Sequence, residues 1–262
     1  MSPFWLSVDT DDLHHLPNHR GHPFRSSEPM PSWRMPPSAS SPELLEATDA
    51  FIAWLATHDL PVTLFLIAEQ LDCDAFRAKI EGIRDRVTIG CHGWSHRCWS
   101  AWPVDVAGFS EMLNAARDRI STFAGSSWVP WFRAPGGYIA PWMAGPLAAA
   151  GFRLDSSVNP SAWVARKAGP ARDWAKVDAA MARSGLVERA WATSWFGPAC
   201  GPALSLFPFS LFAPRIWRRA TRGLPATKTD VEDPNVTVTV LYWHLLDHGR
   251  KNGAWRPPLG EV

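Results

Sequence analysis

Val62–Ile67 reads VTLFLI, an unbroken run of apolar and β-branched residues that begins just after Pro61. A strand buried on both faces has this pattern, and such strands belong to parallel sheets covered by helices. Similar apolar stretches recur along the chain, at Phe4–Val8, Val87–Gly90, Val129–Phe132, Phe152–Leu154, Leu186–Glu188 and Val236–Trp243 (VTVTVLYW). The sequence therefore predicts several short strands of one buried sheet.

Helical patterns fill the intervals between these strands. Ser41 is a predicted N-cap with Pro42 at the first helical position, and a helical stripe runs from there to about His58. The most regular pattern is Pro103–Phe123, where apolar residues fall three or four apart and Gly125 follows. Further helices are predicted over 73–84, 141–150 and 173–184. Alternating strands and helices predict a mostly parallel α/β sheet or barrel, with residues 1–262 in one domain.

Composition narrows the classes of function. The 262 residues carry 26 basic and 25 acidic side chains, so a nucleic-acid partner is not expected. The four cysteines lack a metal-ligand spacing, which favours free thiols in a reducing compartment. Residues 1–8 lack the basic start of a signal peptide. The sequence also contains no run of about 18 apolar residues, which is the length needed to span a bilayer. We therefore predict a cytoplasmic protein of undetermined oligomeric state.

Polar residues follow the carboxyl ends of five predicted strands: Asp9, His92, Arg133, Asp155 and His244. In parallel α/β folds the active site is built at this edge of the sheet. Residues 14–42, rich in His, Pro and Ser, show no periodicity and follow the first of these strands. Long loops in compact domains are often functional, so this one is predicted to lie near the site.

Two motifs have the composition of a metal site. His92 and His96 in HGWSH are four residues apart, so on one helical turn both imidazoles could face a single cation. In an extended Asp9-Thr10-Asp11-Asp12 segment, Asp9 and Asp11 point the same way, so one could bind metal while the other faces its water. Two histidines and one carboxylate leave positions open, as in catalytic metal sites. Taken alone, each motif also fits solvated surface residues.

Arg133 and His244 complete the candidate site. Arg133 in FRAPGG could hold a carboxylate ionised and oriented, and the glycines after it allow a backbone N–H to approach a developing oxyanion. His244 follows a strongly hydrophobic strand and acts as a general acid only if a partner fixes its tautomer, for which Asp155 is the candidate. Either residue alone also fits an ordinary position at the rim of the sheet.

Together these motifs resemble those of the polysaccharide deacetylases of carbohydrate esterase family 4, whose catalytic unit is the NodB homology domain. The resemblance runs from Asp9 to His244 and keeps the family's motif order: the paired aspartates, HGWSH, FRAPGG, LDSSV and LYWH. It implies a distorted (β/α) barrel and a metal-dependent hydrolase that removes an N-acyl group, by default acetyl, from an amino sugar. A carbohydrate or lipid-linked sugar would be the substrate.

The resemblance also implies a role for each residue. Asp9 would be the general base and His244 the general acid, with Arg133 orienting Asp9 and Asp155 orienting His244. The backbone N–H of Gly136 would share the oxyanion with a divalent metal, most simply Zn²⁺. The metal ligands would be Asp11, His92 and His96.

The chain departs from the family pattern in three places. The first motif reads Asp-Thr-Asp-Asp instead of Asp-Asp-Gly, which makes Asp12 a rival of Asp11 as the ligand. Asn159 stands where a tryptophan is usual, with Trp163 nearby, and Trp243 replaces an aliphatic residue before His244. These changes bear on the substrate more than on the chemistry.

One alternative within the same chemistry is a deformylase acting on a lipid-linked amino sugar. His92, Trp94, His96 and Trp99 resemble a pattern in deformylases of undecaprenyl-linked aminoarabinose. The stretch 204–222 (LSLFPFSLFAPRIWRRATR) has an apolar half and four arginines, and it could lie on a bilayer surface as a peripheral contact. A core element followed by a solvated basic turn is the other interpretation, which the sequence favours.

Two other classes remain open. A phosphotransfer enzyme of the haloacid dehalogenase type also begins with a strand and Asp-x-Asp, but it requires a later Gly-Asp-x-x-x-Asp that this chain lacks, and it leaves the histidine pair without a role. A catalytically inactive carbohydrate-binding barrel would require the loss of a ligand or of the base, and all of these residues are present.

Overall fold

The computed structural model describes residues 2–30, 32–34, 39–195 and 197–260. Its strands, in chain order, are β1 (Phe4–Asp9), β2 (Val62–Leu66), β3 (Thr88–Cys91), β4 (Trp128–Phe132), β5 (Leu154–Asp155), β6 (Val187–Glu188), β7 (Thr193–Ser194), β8 (Gly197–Pro198) and β9 (Thr239–His244). Seven of them form one parallel sheet in the order β6-β5-β4-β3-β2-β1-β9, and β7 and β8 form an antiparallel hairpin. The predicted parallel α/β class is confirmed.

Helices cover this sheet: α1 (Pro42–Ala56), α2 (Asp74–Ile83), α3 (Val106–Ala124), α4 (Ala144–Ala149), α5 (Trp174–Arg183), α6 (Ala213–Ala220) and α7 (Lys228–Glu232). Helix α1 begins as predicted, because the Ser41 hydroxyl accepts a hydrogen bond from the Leu44 N–H and Pro42 occupies the first turn. Helix α3 begins at Val106, three residues later than predicted, since Asp105 caps it by accepting from the Gly108 N–H.

The curled sheet closes on itself through the segment that follows β6. Trp191 pairs in parallel with Val240 of β9, and the Ala192 N–H donates to the Val240 carbonyl at 3.0 Å. The Trp191 N–H donates to the Val158 carbonyl at 2.9 Å, on the β5 side. A short, irregular connection therefore joins the two edges, which gives the predicted distorted barrel in a single domain.

Tryptophan serves largely to pack this barrel. Five of its tryptophans are among the largest fully buried side chains: Trp54, Trp99, Trp131, Trp217 and Trp243. Trp163 and Trp195 lie on the surface, 73% and 87% exposed. Most of the 16 tryptophans of the chain therefore serve to build the core.

The long loop before α1 packs against the HGWSH segment, as its predicted place near the site requires. The Gly21 carbonyl accepts hydrogen bonds from the Cys98 N–H at 3.1 Å and from the Trp102 indole at 2.9 Å. Gly21 has a φ of 90°, and a Cβ there would collide with the His96 carbonyl oxygen. Part of the loop, residues 31 and 35–38, lies outside the described residues.

No helix among the described residues is long and apolar enough to cross a bilayer. The cytoplasmic location stays a prediction.

Candidate active site

Asp11, His92 and His96 meet at the carboxyl edge of the barrel. One ligand atom from each lies within 4.8 Å of the others, and the three side chains are buried. His92 Nε2 is 3.5 Å from Asp11 Oδ2, and His96 Nε2 contacts Asp11 Oδ1. The structure thus brings together the three residues proposed from the sequence as metal ligands.

The two histidines do not lie on a helical turn, and that part of the prediction was wrong. Strand β3 ends at Cys91, and the backbone turns through the left-handed region at Gly93 (φ 79°) and His96 (φ 58°). The loop is fixed from outside, because the N–H groups of Ala68 and Glu69 donate to the carbonyls of Gly93 and Trp94, each at 3.0 Å. The spacing of the pair is therefore set by this pinned loop.

Asp12 faces away from the histidines and holds the loop in place. Its carboxylate accepts hydrogen bonds from the backbone N–H groups of Leu13 at 2.6 Å and Ser41 at 2.7 Å. Asp11 Oδ2, by contrast, is buried without a hydrogen-bond partner among the described residues. The geometry therefore favours Asp11 over Asp12 as the carboxylate that could hold a cation.

The electrostatics of the cluster suit a cation. Burial raises the pKa of Asp11, but the charges of His96 and His92 outweigh this and hold it well below its ordinary value. Burial lowers the pKa of His92, while the carboxylates of Asp9 and Asp11 outweigh burial and raise it. The buried carboxylates thus attract positive charge to this position.

The second nitrogen of His92 orients the ring for metal binding. His92 Nδ1 lies 2.8 Å from the Arg133 carbonyl oxygen, to which an Nδ1–H donates. This tautomer leaves the lone pair of Nε2 facing Asp11. Metal-binding histidines usually have such a partner behind the ring, so the residues present fit a divalent metal.

Arg133 is fully buried inside the barrel and holds Asp9. Its Nη1 donates to Asp9 Oδ1 at 2.7 Å, and its Nη2 donates to Ser7 Oγ at 2.9 Å. Its Nε donates to the Ser156 carbonyl at 2.9 Å, and the guanidinium carbon lies 4.2 Å from the centre of the Phe65 ring. The contact between Arg133 and Asp9 that the resemblance implied is present.

His244 lies at the rim of the same cluster, with 25% of its side chain exposed. Its Nε2 is 4.0 Å from Asp11 Oδ2, and its Nδ1 is 3.9 Å from Asp247 Oδ2. The His244 N–H also donates to Asp247 Oδ2 at 3.0 Å, and Arg250 Nε donates to the other oxygen at 2.8 Å. Asp247 is thus the carboxylate beside Nδ1.

Asp155 does not contact His244, so the predicted orienting contact was wrong. No hydrogen bond or ion pair joins the two among the described residues. The fully buried Asp155 accepts hydrogen bonds from the Ser157 N–H at 3.1 Å and the Ser157 hydroxyl at 2.7 Å. Since Ser157 Oγ also accepts from the Ala134 N–H at 2.7 Å, Asp155 supports the FRAPGG loop.

Gly136 lies in that loop with a φ of 58°, a conformation that glycine tolerates without strain. Its carbonyl accepts a hydrogen bond from Lys167 Nζ at 2.6 Å, which fixes the peptide that follows. Burial lowers the pKa of Lys167 to about 8. The use of the Gly136 N–H as an oxyanion donor stays a prediction.

A cavity of about 450 Å³ opens beside Asp11 and His244. Its walls combine apolar and acidic side chains: Leu13, Leu16, Leu246, Glu43, Glu46 and Asp247. Sequence reasoning missed Asp247 and the two glutamates. Asp247 stands three residues after His244, at the third position of the short helix that His244 begins, and this capping spacing could have indicated it.

Residues 40–154 match the sequence profile of the family described as polysaccharide deacetylase. The matched stretch contains His92, His96 and Arg133, while Asp9, Asp11 and His244 lie outside it. No curated protein matches the chain.

Several solved structures are similar in fold. A candidate polysaccharide deacetylase from Mycobacterium smegmatis has a TM-score of 0.52 at 18% identity, over 80% of this chain and 67% of that one. A 4-alpha-glucanotransferase from Thermococcus litoralis has a TM-score of 0.50 at 12% identity, over 98% of this chain and 35% of that one. A family 4 carbohydrate esterase from Streptococcus mutans has a TM-score of 0.42 at 14% identity, over 93% of this chain and 74% of that one. At these identities the first two show the fold alone.

The fold is thus a distorted (β/α) barrel with a cluster of histidines and carboxylates at the carboxyl edge of its strands. The match of residues 40–154 to the polysaccharide deacetylase profile supports the family that the five motifs indicated.

Proposed function

We propose that this protein is a metal-dependent N-deacetylase that removes an acetyl group from an amino sugar, with Zn²⁺ bound by Asp11, His92 and His96. The observation that carries the proposal is the buried Asp11 carboxylate, whose Oδ2 lacks a hydrogen-bond partner among the described residues and faces two histidines beside a cavity. A buried carboxylate oxygen without a hydrogen-bond partner destabilises the folded protein unless a bound cation compensates its charge.

Two imidazole nitrogens and one carboxylate oxygen are a ligand set typical of catalytic zinc, and three protein ligands leave a position for water or substrate. When bound, the ion would polarise the acyl carbonyl and lower the pKa of water toward about 7.

Asp9 and His244 would move the two protons of the hydrolysis. Asp9, held by Arg133, would accept a proton from the water that attacks the acyl carbon. His244 would donate a proton to the amine nitrogen as the C–N bond breaks, so that a neutral amine can leave. The Gly136 N–H would stabilise the negative charge on the carbonyl oxygen. The products would be acetate and the free amino sugar.

The size and lining of the cavity beside Asp11 and His244 suit a small polar substrate that also has apolar surfaces, such as a sugar ring. Its volume of about 450 Å³ falls within the usual range for small-molecule sites. Glu43 and Glu46 can accept hydrogen bonds from sugar hydroxyls, while Leu13 and Leu16 can contact the C–H face of a ring.

The proposal is tested by assaying purified protein for acetate release from N-acetylated chitooligosaccharides, with metal content measured by inductively coupled plasma mass spectrometry. We expect about one zinc per chain, loss of turnover on chelation and recovery when Zn²⁺ is added. Parallel detection of formate from N-formylated substrates tests the deformylase alternative.

Asp11→Asn and Asp12→Asn form a matched pair, because each removes one charge from the same segment. We expect Asp11→Asn to lose zinc and turnover and Asp12→Asn to keep its zinc. Turnover that survives both chelation and His92→Ala would overturn the proposal. Bound sugar without any acyl release would identify an inactive carbohydrate-binding barrel instead.

A further inference from the structure

An apolar surface cluster lies beside a cluster of arginines on the C-terminal part of the barrel. The apolar cluster consists of Trp195, Leu206, Phe207 and Leu211, which are 87%, 57%, 76% and 56% exposed. The arginine cluster consists of Arg215, Arg218, Arg219 and Arg222, which line a groove of about 550 Å³. The sequence favoured a core element for the apolar half of this segment. Leu206, Phe207 and Leu211 of that half lie on the surface, whereas Leu204, Phe209 and Phe212 are half-buried.

The segment that carries the two clusters is anchored to the barrel by buried side chains. Trp217 of α6 is fully buried, its indole donates to the Ala199 carbonyl at 2.8 Å, and its ring lies 5.8 Å from that of Trp243 in β9. With Trp217 turned inward, the arginines on either side of it are left exposed. The Phe209 ring packs closely against Gly197 of the β7–β8 hairpin, which places the hairpin that carries Trp195 beside the segment.

Acidic side chains of the described residues do not neutralise the arginine cluster. None of its members forms an ion pair with an acidic residue in the described part of the chain, whereas Arg77, Arg117 and Arg119 elsewhere do. Four neighbouring guanidinium groups repel one another, so the arrangement favours an anionic partner. Arginine is suited to phosphate in particular, because its planar fork can donate two parallel hydrogen bonds.

We propose that these two clusters together form a docking surface for an anionic lipid bilayer. Proteins that bind the interfacial region combine exposed leucine, phenylalanine and tryptophan with a basic face, which is the combination seen here. The apolar side chains would enter the acyl boundary while the arginines contact lipid phosphates. Each basic residue near an anionic surface contributes about fivefold to binding.

Charge argues against a second copy of this chain as the occupant. A symmetric dimer buries the same surface of both subunits, so a contact centred here would bring the arginine cluster close to its own copy. A bilayer containing acidic lipid supplies the opposite charge together with an apolar phase.

The surface begins at the rim of the candidate active site. Pro202 lines the cavity beside His244, and the Leu206 N–H donates to the Pro202 carbonyl at 2.9 Å. Leu13 and Leu16, each 40% exposed, extend the apolar rim of the same cavity. If the proposed function holds, and this step rests on it, a docked molecule would meet an amino sugar attached to a lipid.

Vesicle flotation tests the surface without requiring turnover. The full-length protein is mixed with vesicles of phosphatidylcholine, or of phosphatidylcholine with phosphatidylglycerol, and the bound fraction is measured at low and high salt. We expect binding to the anionic vesicles, weakened by salt. His92→Ala should float like the wild type, so failure of flotation and failure of the proposed hydrolysis are distinguishable.

Three variants locate the surface, with circular dichroism to show that each is folded. Arg215→Gln/Arg218→Gln/Arg219→Gln should weaken binding by about a hundredfold if the three contributions of about fivefold multiply. Leu206→Ser/Phe207→Ser should weaken it without changing the net charge. The matched control Arg86→Gln/Arg153→Gln/Arg183→Gln removes the same charge from exposed positions on other elements and should bind like the wild type.

Absence of binding to anionic vesicles would overturn the proposal, as would an equal loss in the control, which would mean that net charge alone drives binding. Light scattering tests whether a second copy of this chain occupies the surface instead. A stable dimer that Leu206→Ser/Phe207→Ser dissociates would show that a second copy covers the surface.

Discussion

Nη1 of Arg133 and Oδ1 of Asp9 lie 2.7 Å apart in the interior of the barrel, where both side chains are buried. Arg133 follows β4 and Asp9 ends β1, with β3 and β2 between them in the sheet. The contact therefore crosses the barrel and exists because the sheet is curled. Both charged groups are removed from water, so loss of either one would leave the other buried without a counter-charge.

Arg133→Met should destabilise the protein by about 3–5 kcal/mol, because it leaves the Asp9 carboxylate buried without its cation. Adding Asp9→Asn should recover part of that loss, since no uncompensated charge then remains, yet the double variant should stay inactive. Urea unfolding followed by tryptophan fluorescence measures the change. The control Arg153→Met removes an exposed arginine and should change stability by about 0.5 kcal/mol or less. A double variant no more stable than Arg133→Met would contradict this account.

Asp247→Asn should lower kcat about 10–100-fold with little change in KM, because it removes the carboxylate beside His244 Nδ1 while preserving the size of the side chain. Asp155→Asn is the natural comparison, since sequence reasoning gave that residue the same task. Asp155 contacts Ser157, so its variant should act mainly on stability. Steady-state kinetics and thermal unfolding of both variants separate the two effects. A selective loss of kcat in Asp155→Asn alone would restore the original assignment.

The strands and the candidate site at their carboxyl ends could be predicted because each strand is a short apolar run followed at once by a polar residue. Val62–Leu66 is buried at every position, as its unbroken apolar sequence requires. Parallel strands bring their carboxyl ends to one edge, so the closeness of Asp11 and His92 follows from local pattern and fold class together.

The contacts that sequence reasoning missed depend on strand order and loop conformation. The partner of His244 was assigned to the wrong strand, because neither the order of the strands nor the curl of the sheet is written in any local pattern. The HGWSH segment was given helical geometry from spacing alone, whereas the left-handed backbone at Gly93 and His96 depends on contacts with the segment after β2 and with Gly21.

Zinc should raise the thermal stability of the protein through its affinity for the folded state. At a free concentration of about 100 times the Kd, the gain is about 2.7 kcal/mol, which corresponds to roughly 5–10 °C in a chain of this size. Asp11→Asn should abolish this shift, whereas Asp12→Asn should retain it, because Asp12 is bound to the loop backbone. Differential scanning fluorimetry of metal-free protein measures it. An equal shift in all three proteins would place the zinc elsewhere.

The neighbouring carboxyl groups of the buried Asp155 and the half-buried Glu188 should make stability fall as the pH rises. Burial and the neighbouring charge of Asp155 raise the pKa of Glu188 well above its ordinary value, so the folded protein retains a proton that the unfolded chain has lost. The stability from this group is fully present below the unfolded pKa of about 4.3 and is lost as the pH rises through the folded pKa, with a slope of at most about 1.4 kcal/mol per pH unit.

Glu188→Gln cannot titrate and should flatten the decline without abolishing it, because burial also raises the pKa of Glu69, to about 7. Urea unfolding between about pH 4 and about pH 8 measures both curves. Glu81→Gln, on the exposed face of α2, should follow the wild type, and a Glu188→Gln curve parallel to the wild type would show that this pair does not hold the proton.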